Sequence, residues 1–448
     1  VIKMGKFMAQ EMQMIDEYKI HFTTEPEKIP KEKFIEAMKG WKKDRYLLLS
    51  LDICTKCGVC ADQCHIYKSD PKEIYNPAWR AGLIRNIYKK ELTLRGRIFG
   101  KLLGTDTMGK TTLRALAENL YRCNVCRRCA HFCPFGVDNP GIVGVGRNLF
   151  TSLGVVPKYI QSVTDNVNKT RNNMGIPKPA FLDTISFVED EIKSEIGQDV
   201  KVPIDKEGAE IYFIPPSADF FANIDTLIGY IKMFHAAGAN WTMSSDYFEI
   251  ANFGLFYDDN TMMKINKSVI EEAKKLKCKF LVAGECGHAW RVIKLFSDKF
   301  WGPLPFEVKH VFEIALDYIN KGKIKLNPEV NKDPVTLHDP CNLVRIGGII
   351  EQQREILKAA VKDFREMSPN REENYCCGGG GGLLMEELID FRMKTTIKQK
   401  VEQVKATGAT YLAAPCAICK AQFNHAKEHG VWDVQVGGVI DLLGKAIV

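Results

Sequence analysis

The chain has 448 residues, a formal net charge of +7, 45% hydrophobic and 26% charged residues, an ordinary globular balance with interior enough for two or three domains. Its fifteen cysteines gather at metal-ligand spacings, which excludes a secreted disulfide scaffold and points to the reducing cytoplasm. No apolar run approaches the roughly 18 residues of a membrane-spanning helix, and no signal peptide is legible.

Residues 1–45 read as an N-terminal helical extension. Met4, Phe7, Met8, Met12, Ile15 and Tyr18 fall roughly on one helical face, a pliable apolar stripe suited to core packing or to a partner. Residues 46–150 carry the first chemistry. Cys54-x2-Cys57-x2-Cys60-x3-Cys64 returns as Cys123-x2-Cys126-x2-Cys129-x3-Cys133, followed by Pro134. That spacing is the two-cluster ferredoxin signature, in which three cysteines of each run hold one 4Fe-4S cluster and the fourth crosses to the other. It assigns Cys54, Cys57, Cys60 and Cys133 to one cluster, and Cys123, Cys126, Cys129 and Cys64 to the second. His65 stands where proline usually follows the fourth cysteine, a departure that bears on hydrogen bonding to sulfur.

Between Arg85 and Arg128 there are eleven Lys or Arg and three acidic residues. No nucleic-acid motif accompanies them, so no nucleic-acid partner is expected. A solvated helical face and a docking face for an anionic partner or membrane surface both fit. Within this stretch, Leu92 to Gly104 places Leu94, Ile98, Phe99 and Leu102 on one side, with Arg95, Arg97 and Lys101 elsewhere. Such a basic amphipathic segment lies on a membrane, packs on a partner or is a plain surface helix.

Residues 151–208 read as a linker with helical pieces, interrupted by Pro157, Pro177, Pro179 and Pro203. From there the chain repeats itself, as residues 209–325 and 326–448. Ile211 to Ser217 mirrors Val335 to Cys341, Asp246-Tyr247-Phe248-Glu249 mirrors Asn374-Tyr375-Cys376-Cys377, and Phe280 to Ala283 mirrors Tyr411 to Ala414. In that register Glu285 falls on Cys416 and His288 on Cys419. Ser217, Phe248 and Glu249 cannot rebuild the cysteine set, so the first copy is degenerate. Glu285, Cys286 and His288 line the pocket of the surviving site, deliver a proton, or are remnants. Cys278, at the start of a strand, reads as a packed thiol. Strands alternating with helices predict parallel sheets with ligands on loops at strand ends.

The second copy holds Cys341, then after 34 residues Cys376-Cys377-Gly378, then Cys416-x2-Cys419, with 38 residues between Cys377 and Cys416. Strand-like runs end at Pro340 and Pro415 and present Cys341 and Cys416 at their C-terminal ends. Gly378, Gly379 and Gly380 open a five-glycine run without Cβ atoms, which lets backbone approach a bulky cofactor. Structural zinc takes four ligands in two close pairs; five thiols from three loops fit an iron–sulfur centre better.

This pattern resembles the CCG domain of the heterodisulfide reductase family, in which such cysteines hold an unusual 4Fe-4S cluster that reduces disulfides. With the two ferredoxin runs, Cys126-Arg127-Arg128-Cys129 and Phe132-Cys133-Pro134-Phe135-Gly136, residues 45–448 look most like DsrK, HmcF and the catalytic D subunit of heterodisulfide reductase. The fold class expected is α+β and multidomain: a helical two-cluster ferredoxin-type module followed by two tandem α/β CCG-type repeats with parallel sheets. The resemblance implies Cys341, Cys376, Cys377, Cys416 and Cys419 as ligands of a catalytic cluster, with His288 as a candidate proton donor. It also implies a cytoplasmic subunit, peripheral on the inner face of the membrane through a cytochrome b-type partner in a respiratory complex. Electrons would pass through two ferredoxin clusters to or from the third, which reduces or forms a disulfide of a thiol carrier. The alternative is a non-catalytic electron-transfer subunit serving a flavoprotein, as in glycolate oxidase or anaerobic glycerol-3-phosphate dehydrogenase. The usual form of those subunits keeps cysteines in both copies, a departure that favours the first reading.

Overall fold

Left-handed backbone marks both ferredoxin runs at matching places. Lys56 and Gly58 in the first run have φ of 58° and 90°; Val125 and Arg127 in the second have 51° and 63°. A β-branched valine takes up that conformation only where its surroundings over-determine it, and here the tight loops turn successive cysteines toward one point. A computed structural model describes residues 19–99, 113–250 and 253–448. The N-terminal stripe from Met4 to Tyr18, and Lys101 and Leu102 of the amphipathic segment, lie outside the described residues.

Two compact units are present: Val1–Gln161 with Gly378–Gln399, and Ser162–Cys377 with Lys400–Val448. The first is helical. Helix α1 (Pro77–Ile87) starts on a cap from Asn76, whose Oδ1 accepts from Ala78 N at 2.9 Å, with Pro77 at its first position. A short helix α2 (Leu94–Phe99), then α3 (Leu113–Tyr121) and α4 (Asn139–Ser152) follow. Much of the predicted basic face is internal. Arg85, Arg114, Arg122 and Arg128 are buried, since Arg85 donates to Leu51 O at 2.6 Å and Glu118 binds both Arg114 (2.6 Å) and Arg122 (2.8 Å). By contrast Leu94, Ile98 and Phe99 of α2 are 75%, 63% and 53% exposed, an apolar group left uncovered.

In the second unit, the stretch read as a linker contains α5 (Lys178–Ile196), which buries Phe181, Ile185, Val188 and Ile192. Phe181 stacks on Phe248 at 4.3 Å and meets Phe220 edge-on at 5.3 Å. This helix therefore belongs to the core of the first repeat. The repeat is laid out as β1 (Ile211–Ile214), α6 (Ile224–Ala236), β2 (Trp241–Thr242), α7 (Asp259–Lys275), β3 (Phe280–Ala283), α8 (Gly287–Trp301), β4 (Glu307–His310) and α9 (Val311–Asn320). Its counterpart runs β5 (Val335–Leu337), α10 (Gln352–Ala360), β6 (Phe364–Arg365), α11 (Lys398–Thr407), β7 (Tyr411–Ala413), α12 (Ala417–Glu428), β8 (Gln435–Gly437) and α13 (Val439–Ala446).

The sheets are ordered β2-β1-β3-β4 and β6-β5-β7-β8, and every pairing is parallel. Ile211 pairs with Phe280 in one and Val335 with Tyr411 in the other. Apolar strands covered on both faces, such as Ile211–Ile214 with all four residues buried, are what parallel sheets require. The copies pack crosswise, α6 on α13 and α9 on α10. Gly229 and Gly444 allow the first contact, because a Cβ on Gly444 would lie 2.5 Å from the Gly229 Cα. An approximate two-fold arrangement results, with the loops after β3 and β7 interleaved.

Candidate metal centres

Within the first unit, a small, partly open pocket is lined by Cys64, Cys123, Cys126 and Cys129, together with His65, Arg80 and Asn124. Burial pushes the Cys64 thiol up to about 11 and the Cys129 thiol well above its ordinary value. A metal cation is what makes thiolates tenable in such a place. The thiols that act electrostatically on Cys64 are Cys126 and Cys123, and those acting on Cys60 are Cys54, Cys133 and Cys57. Val125 N and Val137 N donate to the Cys123 and Cys133 sulfurs at 3.4 and 3.3 Å. His65, which replaces the usual proline, is buried and pairs through Nε2 with Asn124 Oδ1 at 2.9 Å. Asn124 in turn donates to Gly380 O at 2.9 Å, and Arg147 donates to Gly381 O at 2.7 Å.

The glycine run is thus tied to the ferredoxin loops. A Cβ on Gly381 would lie 2.7 Å from the Cys123 carbonyl oxygen, and one on Gly378 would lie 2.4 Å from Thr396 Oγ1. Both glycines have positive φ, 71° and 90°. Close protein backbone, in addition to any cofactor, is the reason side chains are missing here.

In the second unit, Cys416 caps the start of α12 and Cys419 lies one turn along it. Cys419 Sγ donates to Cys377 Sγ at 3.2 Å. Donor atoms of His338, Cys377 and Cys419 all lie within 4.8 Å of one another, as do those of Cys286, His288 and Cys416. Cys376 hydrogen-bonds to Cys377. Cys341 is buried at the end of the His338-Asp339-Pro340 turn, where Asn342 Nδ2 approaches its sulfur at 3.9 Å; it lies outside both close groups. Hydrogen bonds from Cys376 and Cys419 hold the Cys377 thiol well below its usual range, and those from Cys286 and Cys419 do the same for Cys416. Burial drives Cys419 upward, making it the donor.

Charge and shape around the thiols come from residues that were not read as site residues. His338 is fully buried against Phe423, with ring centroids 5.0 Å apart. Its ring lies within hydrogen-bonding reach of the Cys377 thiol and its nitrogens find no oxygen or nitrogen partner, a setting that suits a sulfide-rich cluster. Asp339 anchors the loop: Arg354 grips it bidentately at 2.9 and 2.6 Å, and Gln353 and Arg371 N add bonds at 2.7 Å each. Lys400 is buried beside the thiols and donates to Gln403 Oε1 at 2.6 Å and to Asn374 Oδ1. Burial lowers its ammonium to about 7. His338 and Asp339 stand in the Thr336-to-Cys341 run and were legible there; nothing in the sequence signals Lys400.

The degenerate copy has filled its own ligand positions. Phe248 stacks on Phe181, while Glu249 accepts from Asn173, and its burial raises the carboxyl to about 7. Glu285 is not at the thiols. It accepts from Lys420 Nζ at 3.3 Å and from Ile440 N at 2.8 Å. His288 does reach them, with Nδ1 3.9 Å from Cys416 Sγ and Phe256 against its ring at 5.1 Å. Cys278 is a packed thiol that donates to Ala273 O at 3.5 Å. So many buried sulfur donors exceed the four ligands of a tetrahedral ion and fit an iron–sulfur cluster.

Comparison with known proteins agrees. The Cysteine-rich domain family matches residues 335–424, and the 4Fe-4S dicluster domain family matches residues 50–137. The Hdr-like menaquinol oxidoreductase iron-sulfur subunit 2 of Archaeoglobus fulgidus is 33% identical over 93% of this chain and 83% of its own length. The chain belongs to the HdrD-like family of CCG-domain iron–sulfur proteins. Within that HdrD-like family, the D subunit of the dihydromethanophenazine:CoB--CoM heterodisulfide reductase of Methanosarcina mazei is 26% identical over 89% of the chain and 95% of its own length. The EtfAB:quinone oxidoreductase of Syntrophomonas wolfei is 24% identical over 75% of the chain but 48% of its own length. As an HdrD-like protein, the chain is an iron–sulfur electron-transfer subunit with 4Fe-4S clusters. No helix of its described residues is long and apolar enough to cross a membrane.

Proposed function

We propose that this subunit passes electrons through two ferredoxin-type clusters to or from a C-terminal cluster that reduces or forms the disulfide of a thiol carrier. The observation that carries this reading is the convergence of Cys377, Cys416 and Cys419 with two buried histidines. Cys54, Cys57, Cys60 and Cys133 would hold one ferredoxin cluster, and Cys123, Cys126, Cys129 and Cys64 the other. Cys341, Cys376, Cys377, Cys416 and Cys419 would hold the third.

Cleaving a disulfide takes two electrons and two protons and yields two thiols, whereas ferredoxin-type clusters pass single electrons. The C-terminal cluster, when bound, supplies a centre that bridges these two regimes. Around it the chain's own residues set the conditions. His288 stands beside Cys416, placed to return a proton to a departing thiolate. Phe256 and Phe423 back the two histidine rings and exclude water. Lys400 sets a buried amine, which burial makes readier to lose its proton, next to the thiols.

The name of the Archaeoglobus relative supports a quinol at one end of the electron path, and that of the Methanosarcina relative a disulfide at the other. A membrane cytochrome b-type subunit would link the two and hold this chain at the inner face of the membrane. The likeness to EtfAB:quinone oxidoreductase favours a second reading, a wire for a flavoprotein without thiol chemistry. Rapid mixing of the anaerobically reduced protein with candidate disulfides separates them. Direct reoxidation of the C-terminal centre supports the reductase; reoxidation by a flavoprotein alone sinks it.

A further inference from the structure

The ungapped alignment of the two copies puts Glu285 opposite Cys416, but the structure moves this by one residue. Strand registers match Ala283 with Ala414, since β1 pairs Ile211 with Phe280 and β5 pairs its counterpart Val335 with Tyr411, Phe280 and Tyr411 each standing three residues before the alanine. The turn after β3 then has one residue more than the turn after β7. Cys286, not Glu285, becomes the cap of its helix, just as Cys416 caps the other. Local bonding repeats: Cys286 N to Gly284 O and Cys416 N to Ala414 O are both 2.7 Å, and Trp290 N to Cys286 O and Lys420 N to Cys416 O are both 2.9 Å. Cys286 is the structural counterpart of a cluster cysteine.

Its thiol does not serve its own copy, where the Phe181–Phe248 stack occupies the matching ligand positions. It faces the other one. Cys286 is fully buried, hydrogen-bonds to Cys416, and shares a close donor group with Cys416 and His288. The turn is locked there from both sides. Ala417 N donates to Glu285 O at 3.1 Å, and a Cβ on Gly287 would lie 2.8 Å from Leu343 N, two residues after Cys341. Two thiolates on one tetrahedral metal lie about 3.8 Å apart with bonds of about 2.3 Å, a spacing compatible with the limit of 4.8 Å found here. Cys278, the other cysteine outside the motifs, bonds to backbone within its own copy, at Ala273 O and Tyr212.

We propose that Cys286 is a sixth thiol ligand of the C-terminal cluster, contributed by the degenerate copy across the approximate two-fold. This rests on the iron–sulfur reading of the site and not on any substrate. The degenerate copy is therefore retained for what it supplies to its neighbour as well as for its helices.

The test is Mössbauer and electron paramagnetic resonance spectroscopy of the full-length protein, purified anaerobically with iron-57, as wild type, Cys286→Ser, Cys286→Ala and Cys278→Ala. Exchange of sulfur for oxygen in Cys286→Ser should shift the parameters of one iron in the four of the C-terminal centre. The ferredoxin signals should stay unchanged and report an intact fold. Cys278→Ala should match the wild type. Cys286→Ser with wild-type spectra and iron content overturns the proposal, and this variant decides even where Cys286→Ala fails to accumulate. A wild type holding only the ferredoxin irons would instead defeat the cluster reading itself.

Discussion

Cys419 donates its thiol proton to Cys377 across 3.2 Å, joining the helix after β7 to the Cys-Cys-Gly loop. Residues 42 apart in sequence thereby become one buried donor pair. The link also explains why the two thiols shift in opposite directions: hydrogen bonds stabilise the Cys377 thiolate, while burial keeps the proton on Cys419.

Iron content follows from the three cysteine sets. Anaerobic protein should hold about twelve irons per chain, four to each centre. Cys377→Ser should reduce this to about eight, with both ferredoxin centres still reducible. Stoichiometric zinc, or about eight irons in the wild type, would contradict the assignment.

Crossed ligation is tested at Cys64. Its thiol feels Cys126 and Cys123, while Cys60 feels Cys54 and Cys133. Cys64→Ala should therefore damage the centre held by Cys123, Cys126 and Cys129. Spectroscopic loss of the centre held by Cys54, Cys57 and Cys60 would reverse the assignment.

Much of this was legible because cysteine spacing and strand–helix alternation are local signals. The parallel sheets and the worn first copy follow from Ile211 to Ser217 set against Val335 to Cys341. Three features were not legible, for different physical reasons. One inserted residue turned Cys286 toward Cys416 and Glu285 toward Lys420, which an ungapped comparison cannot show. Charge counts do not reveal that Arg85 and Arg114 have buried partners. Gly378–Gln399 grouping with the ferredoxin module is a tertiary outcome, fixed by contacts such as Arg147 to Gly381.

Glu249 should impose a pH dependence on stability. Its carboxyl is raised from 4.5 to about 7 by burial, so the folded state binds a proton more tightly than the unfolded state. Stability present below the unfolded value is lost as pH rises through the folded one, on the order of 3 kcal/mol in all at about 1.4 kcal/mol per unit. Glu249→Leu removes this titration. Thermal unfolding of the anaerobic protein between pH 5 and 8 should then show a flatter pH profile for the variant. Parallel profiles would refute the argument.

Attachment should depend on α2. Leu94, Ile98 and Phe99 are exposed, and Arg95 and Arg97 accompany them. Charge reversal at the two arginines should release the protein from membranes of its complex while leaving iron content unchanged. Full retention would put the docking surface elsewhere.

The chemical prediction concerns the C-terminal centre. If a thiol or disulfide reacts there, adding it should change the resonance signal of that centre alone, and the ferredoxin signals should respond only through electron transfer. Sulfur-33 in the added thiol should broaden the new signal, since its nucleus would then sit within the spin density. Cys377→Ser should abolish the effect. His288→Ala should keep it, because binding needs no proton, yet slow turnover by roughly 10²-fold or more, the usual contribution of a placed general acid. The position 3.9 Å from Cys416 motivates that split between binding and turnover. Unchanged turnover would leave His288 a packing residue against Phe256. Should no thiol or disulfide alter the centre while a flavoprotein still exchanges electrons through it, the chain is a conductor and the chemistry lies with its partner.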